Sequence, residues 1–468
     1  MVSLHELTEP VYYGTLKNLQ ETPQKPLESL QGNILRLHGR DRSVHIFLRF
    51  RHGRRTDVKR WIMKLAERIT SAQQQLDETE QYRRYKIPGR LFMSFFLSAN
   101  GYRYLYPDPQ GKLRFNDEAF LHGMKAAQHR LNDPPQEAWE KGYQNNIDAM
   151  VLLADDNESS LLLEAGWLVD GVKAHAEICA VEHGRVMRNR QEYAVEHFGF
   201  ADGVSQPLFF QNDLERERQQ GNGTNVWNSG AGPDLVLVQD PYGRPGYDSG
   251  SYLVFRKLEQ HVRGFKECEQ KLAKALGLAG EEAKRAGALV VGRFEDGTPI
   301  VLQPTTGRPD NNFTYDRDPD GGRCPLQAHI RKVNPRQKGI PRIVRRGITY
   351  GERGKEPQDN PSLEELPNKD VGVLFMCFQK NIAQQFELLQ YLWANDPRLP
   401  RGQEPGIDPI IGQLGGNGAG RQKWPARWNA PRAEHKSFNF HGFVTLKGGE
   451  YFFAPSIHFL KNIGEEVG

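Results

Sequence analysis

Short apolar runs rich in β-branched and aromatic residues, separated by helical or polar chain, recur through the first part of the sequence, and then the cycle begins again. This pattern limits the fold more than any other feature. VHIFLRF at 44–50 reads as a strand, LFMSFFLS at 91–98 as a second, IDAMVLLA at 147–154 as a third and VKAHAEICAVE at 172–182 as a fourth. Residues 56–76 read as a helix, because Val58, Trp61, Leu65 and Ile69 recur at spacings of three and four. Further helical signals fall between the second and third strands and between the third and fourth. Strands and helices alternating over short connections predict a split β-α-β arrangement of the ferredoxin kind.

A polar, Gly/Asn-rich stretch at 211–234 reads as a linker. After it, SYLVFRKL at 251–258 reads as a strand and 259–278 as a helix. VGVLFMCFQ at 371–379 is a long apolar strand, and 381–393 a helix with Ile382, Phe386, Leu389 and Trp393 on one face. HGFVTLKG and EYFFAPSI supply a closing strand and its flank. The stretch at 296–370 is rich in Pro, Gly and Arg and has little periodicity; loops this long in compact domains are commonly functional. At 468 residues the chain is too long for one small core. The expected class is therefore α+β: two halves, 1–220 and 221–468, each an antiparallel sheet flanked by helices, with no strong internal sequence repeat.

Composition removes several function classes. Hydrophobic residues at 38% and charged residues at 26% predict a packed soluble fold. A net charge of +4 spread along the chain argues against a nucleic-acid binder, which concentrates basic residues on one face. No run of about 18 apolar residues exists, so no membrane span is expected. The N-terminus MVSLHELTEPVYYG lacks the basic and apolar regions of a secretory signal. Cys179, Cys268, Cys324 and Cys377 form no CxxC pair and no zinc spacing, so a cytoplasmic location is the default.

Three segments could carry chemistry. In RCPLQAHIRKVNPR, His329 is followed by Arg331, Lys332 and Arg336. A loop histidine is commonly a solvated group, but one imidazole is a complete protein ligand set when iron arrives inside a porphyrin. The neighbouring cations would then pair with the propionates. PRIVRRGITYG offers Arg345 and Arg346, either solvated on a surface strand or held over a reactive group. Arginine cannot act as a base but can hold an anion or polarise a peroxide. In HFGFADGVSQP, Asp202 stands between Gly199 and Gly203 beside Phe198 and Phe200. It reads as an Asx-turn or cap, or as a general acid/base raised by desolvation and offset by a nearby cation such as Arg345.

Together these segments resemble the dye-decolorizing peroxidase family. GFADG resembles its GxxDG motif, CPLQAHIRKVNPR its proximal-histidine segment and RIVRRGITYG its distal-arginine segment. LQGNILRLHGR, GSYLVFRKLEQHV, VGRFEDGTP and GGEYFFAPSI extend the resemblance from about residue 30 to about residue 460, and DPIIG at 408–412 resembles the larger bacterial and fungal members. The resemblance implies a dimeric α+β barrel of two ferredoxin-like halves and one haem b, held mainly by the C-terminal half. It implies that His329 is the proximal ligand, Asp202 the distal acid and Arg345, not Arg346, the distal arginine. Asp408 matches the carboxylate that accepts the proximal imidazole N–H, with Glu387 the alternative. Gly199, Phe200, Gly203, Arg331, Val373 and Phe375 would line the haem pocket; Val373 stands where a leucine is expected. Tyr350 and Trp393 match positions used as surface electron relays. The implied activity is reduction of hydrogen peroxide and one-electron oxidation of dyes, phenols or other organic donors, with homo-oligomers possible. The alternatives are haem handling with deferrochelatase-like iron release, or haem binding without turnover.

Overall fold

The seven expected strands all form, and a short eighth closes them into a ring. In chain order they are β1 (Arg42–Phe50), β2 (Phe92–Leu97), β3 (Ala149–Asp155), β4 (Ala176–Arg185), β5 (Ser249–Gln260), β6 (Ile348–Tyr350), β7 (Gly372–Gln379) and β8 (Val444–Ala454). The computed structural model describes residues 3–19, 25–220, 223–359, 361–400, 402–415, 418 and 420–464. Residues 221–222, beside the expected boundary, lie outside the described residues.

The hydrogen-bonded order is β5-β8-β2-β3-β1-β4-β6-β7, and β7 pairs back onto β5. Each of these pairings is antiparallel. Closure removes the exposed strand edges that would otherwise invite aggregation. Within each set of four the spatial order is fourth, first, third, second, which is the ferredoxin-like arrangement. The two sets meet at two narrow seams, Phe453 opposite Leu97 and Tyr350 opposite Gly184.

Alternation along the strands fills the interior with rings. Phe47 on β1 reaches across to Phe255 on β5, ring centroids 4.7 Å apart, and lies 5.3 Å from Tyr143. The charge buried among them is matched: Lys257 Nζ donates to Glu182 at 2.9 Å and to Glu140 at 2.8 Å, and Tyr143 donates to Glu182. A buried ammonium with these acceptors avoids the cost of an unpaired charge.

The helices depart from the sequence reading in informative places. The single helix expected over 56–76 is two, α1 (Arg55–Ala66) and α2 (Ala72–Tyr85). Thr70 is drawn off to pair with Met93 on β2, and Ser71 then caps α2 by accepting from Gln74 N–H. Helix α3 (Glu158–Val172) starts on an Asn157 cap. The expected linker 211–234 opens with a helix, α4 (Gln211–Gln219), whose Leu214 is buried. Helix α5 (Val262–Leu276) begins later than expected because β5 runs on to Gln260. The aperiodic stretch 296–370 contains β6 and a short helix, α6 (His329–Val333). The helix expected at 381–393 forms, but widened: Glu387 N–H reaches Ile382 O and Asn395 N–H reaches Gln390 O, each at 3.0 Å. Such widened turns are frequent at functional sites. Among the described residues no helix is long and apolar enough to cross a membrane.

Phe47 is fully buried and spans the two sets of strands. Phe47→Ala is expected to cost about 3–5 kcal/mol of unfolding free energy. Denaturant titration checks this, and a loss below about 1 kcal/mol would contradict a packed barrel interior.

Candidate functional site

Outside the barrel, α6, β5, β7, the widened helix and the loop around Asp202 enclose a cavity of about 310 Å³. Its lining includes His329, Asp202, Arg345, Val373 and Phe375, so one space brings together residues from distant parts of the sequence. Val373 and Phe375 stand two apart on β7 and share the face turned to the cavity. Phe375 is backed by Phe386, ring centroids 6.1 Å apart.

His329 is the first residue of α6. Its Nδ1 lies 2.8 Å from Asp408 Oδ2. Asp408 is fully buried, and its Oδ1 accepts the N–H groups of Ile410 at 2.8 Å and Ile411 at 3.0 Å. With Nδ1 committed to a carboxylate, Nε2 is the ring nitrogen left to act as a ligand. Glu387, the alternative partner, is engaged elsewhere: it accepts from Arg130 and from Tyr451 OH, each at 3.0 Å.

Arg331 does not reach the cavity. It is buried on the other side of α6, where it pairs with Asp318 at 2.9 Å and covers the Tyr315 ring at 4.6 Å. Lys332 is likewise spent on backbone carbonyls. Arg336 does line the cavity, but its guanidinium bonds to Asn311 O and Phe313 O. The cation that fits the rim is Arg342, whose two Nη atoms both donate to Gly230 O at 3.3 Å. Among the described residues no carboxylate forms an ion pair with it. The expectation that the cations beside His329 face a propionate fails because a five-residue helix cannot turn every side chain to one side.

Another wall is the loop carrying Asp202. Asp202 Oδ1 accepts from Arg345 Nη1 at 2.9 Å and from Gly203 N–H at 2.6 Å. The Asp202 side chain is 42% exposed, and that surface opens into the cavity. Burial pushes its carboxyl up, but the Arg345 charge, the Gly203 N–H and His329 together outweigh it and hold it below the usual carboxylate value. Arg345 is fixed by its own backbone, whose N–H donates to Gln206 at 3.1 Å. Arg346 points away, 5% exposed, and donates to Asn33 O and Ile34 O at 2.7 and 2.9 Å. Adjacent strand residues face opposite ways, which is why only one of the pair reaches the site.

The two glycines have different jobs. Gly203, at φ +75°, lines the cavity, and no atom lies within 4 Å of where a Cβ would project, leaving room for a flat ligand. Gly199, at φ +99°, projects instead toward Glu295 at 3.6 Å and does not line the cavity. It serves the turn alone, correcting its assignment to the pocket. Phe200 does line the cavity, and Phe198 stacks on Phe265 at 4.0 Å.

The relay assignments change as well. Tyr350 is buried at 7% exposure, its ring 5.0 Å from Lys257 Nζ and its hydroxyl without a hydrogen-bond partner among the described residues. It is not a surface residue, because β6 sits in the closed ring. Trp393 is half-buried at the end of the widened helix and does not line the cavity. Sequence reasoning missed Glu196. Its carboxylate accepts the N–H groups of Phe198 at 2.9 Å and Phe200 at 3.0 Å, and also Gln260, so it braces the loop that aims Asp202. The signal was a second carboxylate in the same segment, EHFGFADG. Trp227 and Arg342 also line the cavity and were missed because their segments show no periodicity.

An apolar slot, one imidazole whose Nδ1 alone is taken by a carboxylate, an open approach at Gly203 and Arg342, without an ion-pair partner among the described residues, together fit a haem.

Comparison with known proteins bears on the same site. The family model for the C-terminal domain of Dyp-type peroxidases matches residues 222–399, and that for the DyP dimeric alpha+beta barrel domain matches residues 29–182. The multifunctional dye peroxidase DyP2 of Amycolatopsis sp. is 40% identical over 453 residues, covering 93% of this chain and 96% of the relative. Its solved structure superposes with a TM-score of 0.89 at 38% identity, covering 97% of this chain and 99% of the other. A DyP-type peroxidase from Anabaena sp. superposes with a TM-score of 0.87 at 41% identity, covering 97% of each chain. Agreement of this extent, along nearly the whole of both relatives, makes the chain a member of the dye-decolorizing peroxidase family, and so a haem peroxidase.

Proposed function

We propose that this peroxidase binds one haem b per chain through His329, and that Asp202 and Arg345 carry the proton and charge movements of peroxide cleavage. The observation that carries this reading is the single cavity lined by an imidazole backed by a buried carboxylate and by an aspartate paired with an arginine. We take the halves 1–220 and 221–468 as the two domains, a reading supported by their shared strand order. A cytoplasmic setting is supported by four cysteines that are all free.

The haem, when bound, supplies the iron at which hydrogen peroxide is reduced and the oxidising equivalents that dyes, phenols and similar donors then quench. His329 Nε2 holds the iron. Asp408 draws the Nδ1 proton toward itself and makes the imidazole a stronger electron donor. Asp202 works beside the substrate. Its Oδ1 is committed to Arg345 and Gly203, which leaves Oδ2 to take a proton from one peroxide oxygen and return it to the other. Because its carboxyl sits below the usual value, it starts ionised at neutral pH, as a proton acceptor must. Arg345 stays protonated throughout and stabilises the charge that grows on the departing oxygen. Phe200, Phe375 and Phe386 exclude water from this exchange.

Bulky donors cannot enter a cavity of this size. We propose that Trp393, half-buried near the surface, passes their electrons inward, and we withdraw Tyr350 from that role because it is enclosed.

Asp202→Asn should slow the reaction of the enzyme with peroxide by roughly 100-fold or more, read by stopped-flow. Near-normal kinetics with a severely impaired Arg345→Leu would move the step to Arg345. The acid limb of the wild-type profile should lie below 3.8, since activity is lost as pH falls through a depressed Asp202 value. Removing the cation in Arg345→Leu leaves burial to raise that value, so the limb should move to higher pH; an unmoved limb would show that another group sets it. Trp393→Phe should slow bulky dyes and spare small phenols, and an unchanged dye rate would remove the relay.

A further inference from the structure

Helix α6 is only five residues long, yet it sends polar side chains to three separate places. His329 meets Asp408 and Arg331 meets Asp318. Lys332, one turn beyond His329 and 2% exposed, has a third set of partners. Its Nζ donates to Asp396 O at 3.0 Å, Leu399 O at 2.7 Å and Gly406 O at 2.7 Å. An ammonium has three N–H donors, and here every one is used on a backbone carbonyl. The three carbonyls stand within about ten residues of one another in the sequence, and Gly406 is two places before Asp408.

We propose that Lys332 is a positioning residue for the Asp408–His329 pair: its ammonium gathers the backbone at Asp396, Leu399 and Gly406 onto α6 and so sets where the Asp408 carboxylate meets Nδ1. The inference rests on the reading of His329 as the iron ligand and Asp408 as its acceptor. Geometry supplies the reason. Asp408 is tied at its own N–H to Ala394 O, at 2.8 Å, and at Oδ1 to Ile410 and Ile411. These bonds tie the carboxylate to its own loop and to the end of the widened helix, and none of them ends on α6 itself. Among the described residues, the His329 bond and the Lys332 cage, one turn apart on that helix, are the side-chain hydrogen bonds that join α6 to this segment. Removing the cage leaves the imidazole hydrogen bond as the one direct side-chain tie between them among the described residues. Burial draws the Lys332 ammonium down to about 8, while the Asp408 and Asp396 charges oppose that, so it is charged at neutral pH.

The test uses the haem-loaded full chain and two readouts: the ferric/ferrous reduction potential and the iron–histidine stretching frequency of the ferrous form. Lys332→Met keeps most of the stem and removes the three donors. It should shift the potential upward and the stretch downward, in the direction of Asp408→Asn but by less, because a loosened carboxylate donates less to the imidazole. The double variant Lys332→Met/Asp408→Asn should match Asp408→Asn alone, since Lys332 acts through Asp408. A Lys332→Met holoprotein with wild-type potential and stretch would overturn the proposal, as would a double variant whose shifts are the full sum of the two. If Asp408→Asn itself leaves both readouts unchanged, the reading of Asp408 fails, and this inference with it.

Should Lys332→Met not give holoprotein, Lys332→Ala offers a second route. It leaves space for n-propylammonium, the missing part of the side chain. Added n-propylammonium should return the stretch toward wild type, whereas trimethylpropylammonium, which has no N–H donors, should not. Equal effects of the two cations, or no effect of either, would overturn the proposal.

Discussion

The hydrogen bond between His329 Nδ1 and the fully buried Asp408 is the interaction on which the rest of the site depends. It fixes which ring nitrogen is free and which way the ring faces. A carboxylate out of water is costly, and it persists here because Oδ1 takes two backbone N–H groups while Oδ2 takes the imidazole. Residues 402–411 carry that carboxylate, and Asp408 N–H ties it to Ala394 O at the end of the widened helix. The barrel matters to the chemistry mainly as the rigid wall against which this loop and α6 are set. Its outward faces on β5 and β7 supply the apolar surface of the cavity, while its interior is sealed by rings and by the Lys257–Glu182 pair.

The rest of the cavity is organised by a different balance. Asp202 and Arg345 are one charge pair that lines the cavity beside Phe200 and Phe375. The loop that presents Asp202 is held from behind by Glu196, a carboxylate that burial and the Asp202 charge both push up. Two carboxylates beside one cavity thus sit in opposed environments: Asp202 is kept ionised by its cation and Glu196 is occupied as a backbone clamp. The division of labour between Arg345 and Arg346 follows the same economy. One guanidinium faces the site, and the other closes the chain around Asn33 and Ile34, where burial draws it down to about 9.

Strands were legible because burial on both sides of a barrel wall leaves long apolar runs, and VGVLFMCFQ or LFMSFFLS can be little else. Closure was not legible from periodicity, since β6 is three residues long and carries no pattern of its own. The break between α1 and α2 was hidden because Ile69 continues the apolar spacing, while the decisive bonds run from Thr70 to a strand more than twenty residues away. In the site, residues carried by motifs were readable as neighbours: His329, Asp202 and Arg345 line one cavity, with Asp408 behind His329. Direction was not. Arg331 and Gly199 belong to the right segments and face away, and Tyr350 lies in the right sheet but inside it. Trp227 and Arg342 reach the cavity from segments whose spacing carries no signal, while Glu196 clamps its own segment at Phe198 and Phe200 and reaches Gln260 on β5.

The central claim is that His329 is the residue that holds the iron, and spectroscopy of the reconstituted protein tests it most directly. Ferric wild type, loaded with haem, should show the Soret band and near-infrared magnetic circular dichroism of a histidine-ligated iron. His329→Ala should lose that signature and recover it when imidazole is added. A His329→Ala protein whose spectrum matches wild type without imidazole would contradict the account.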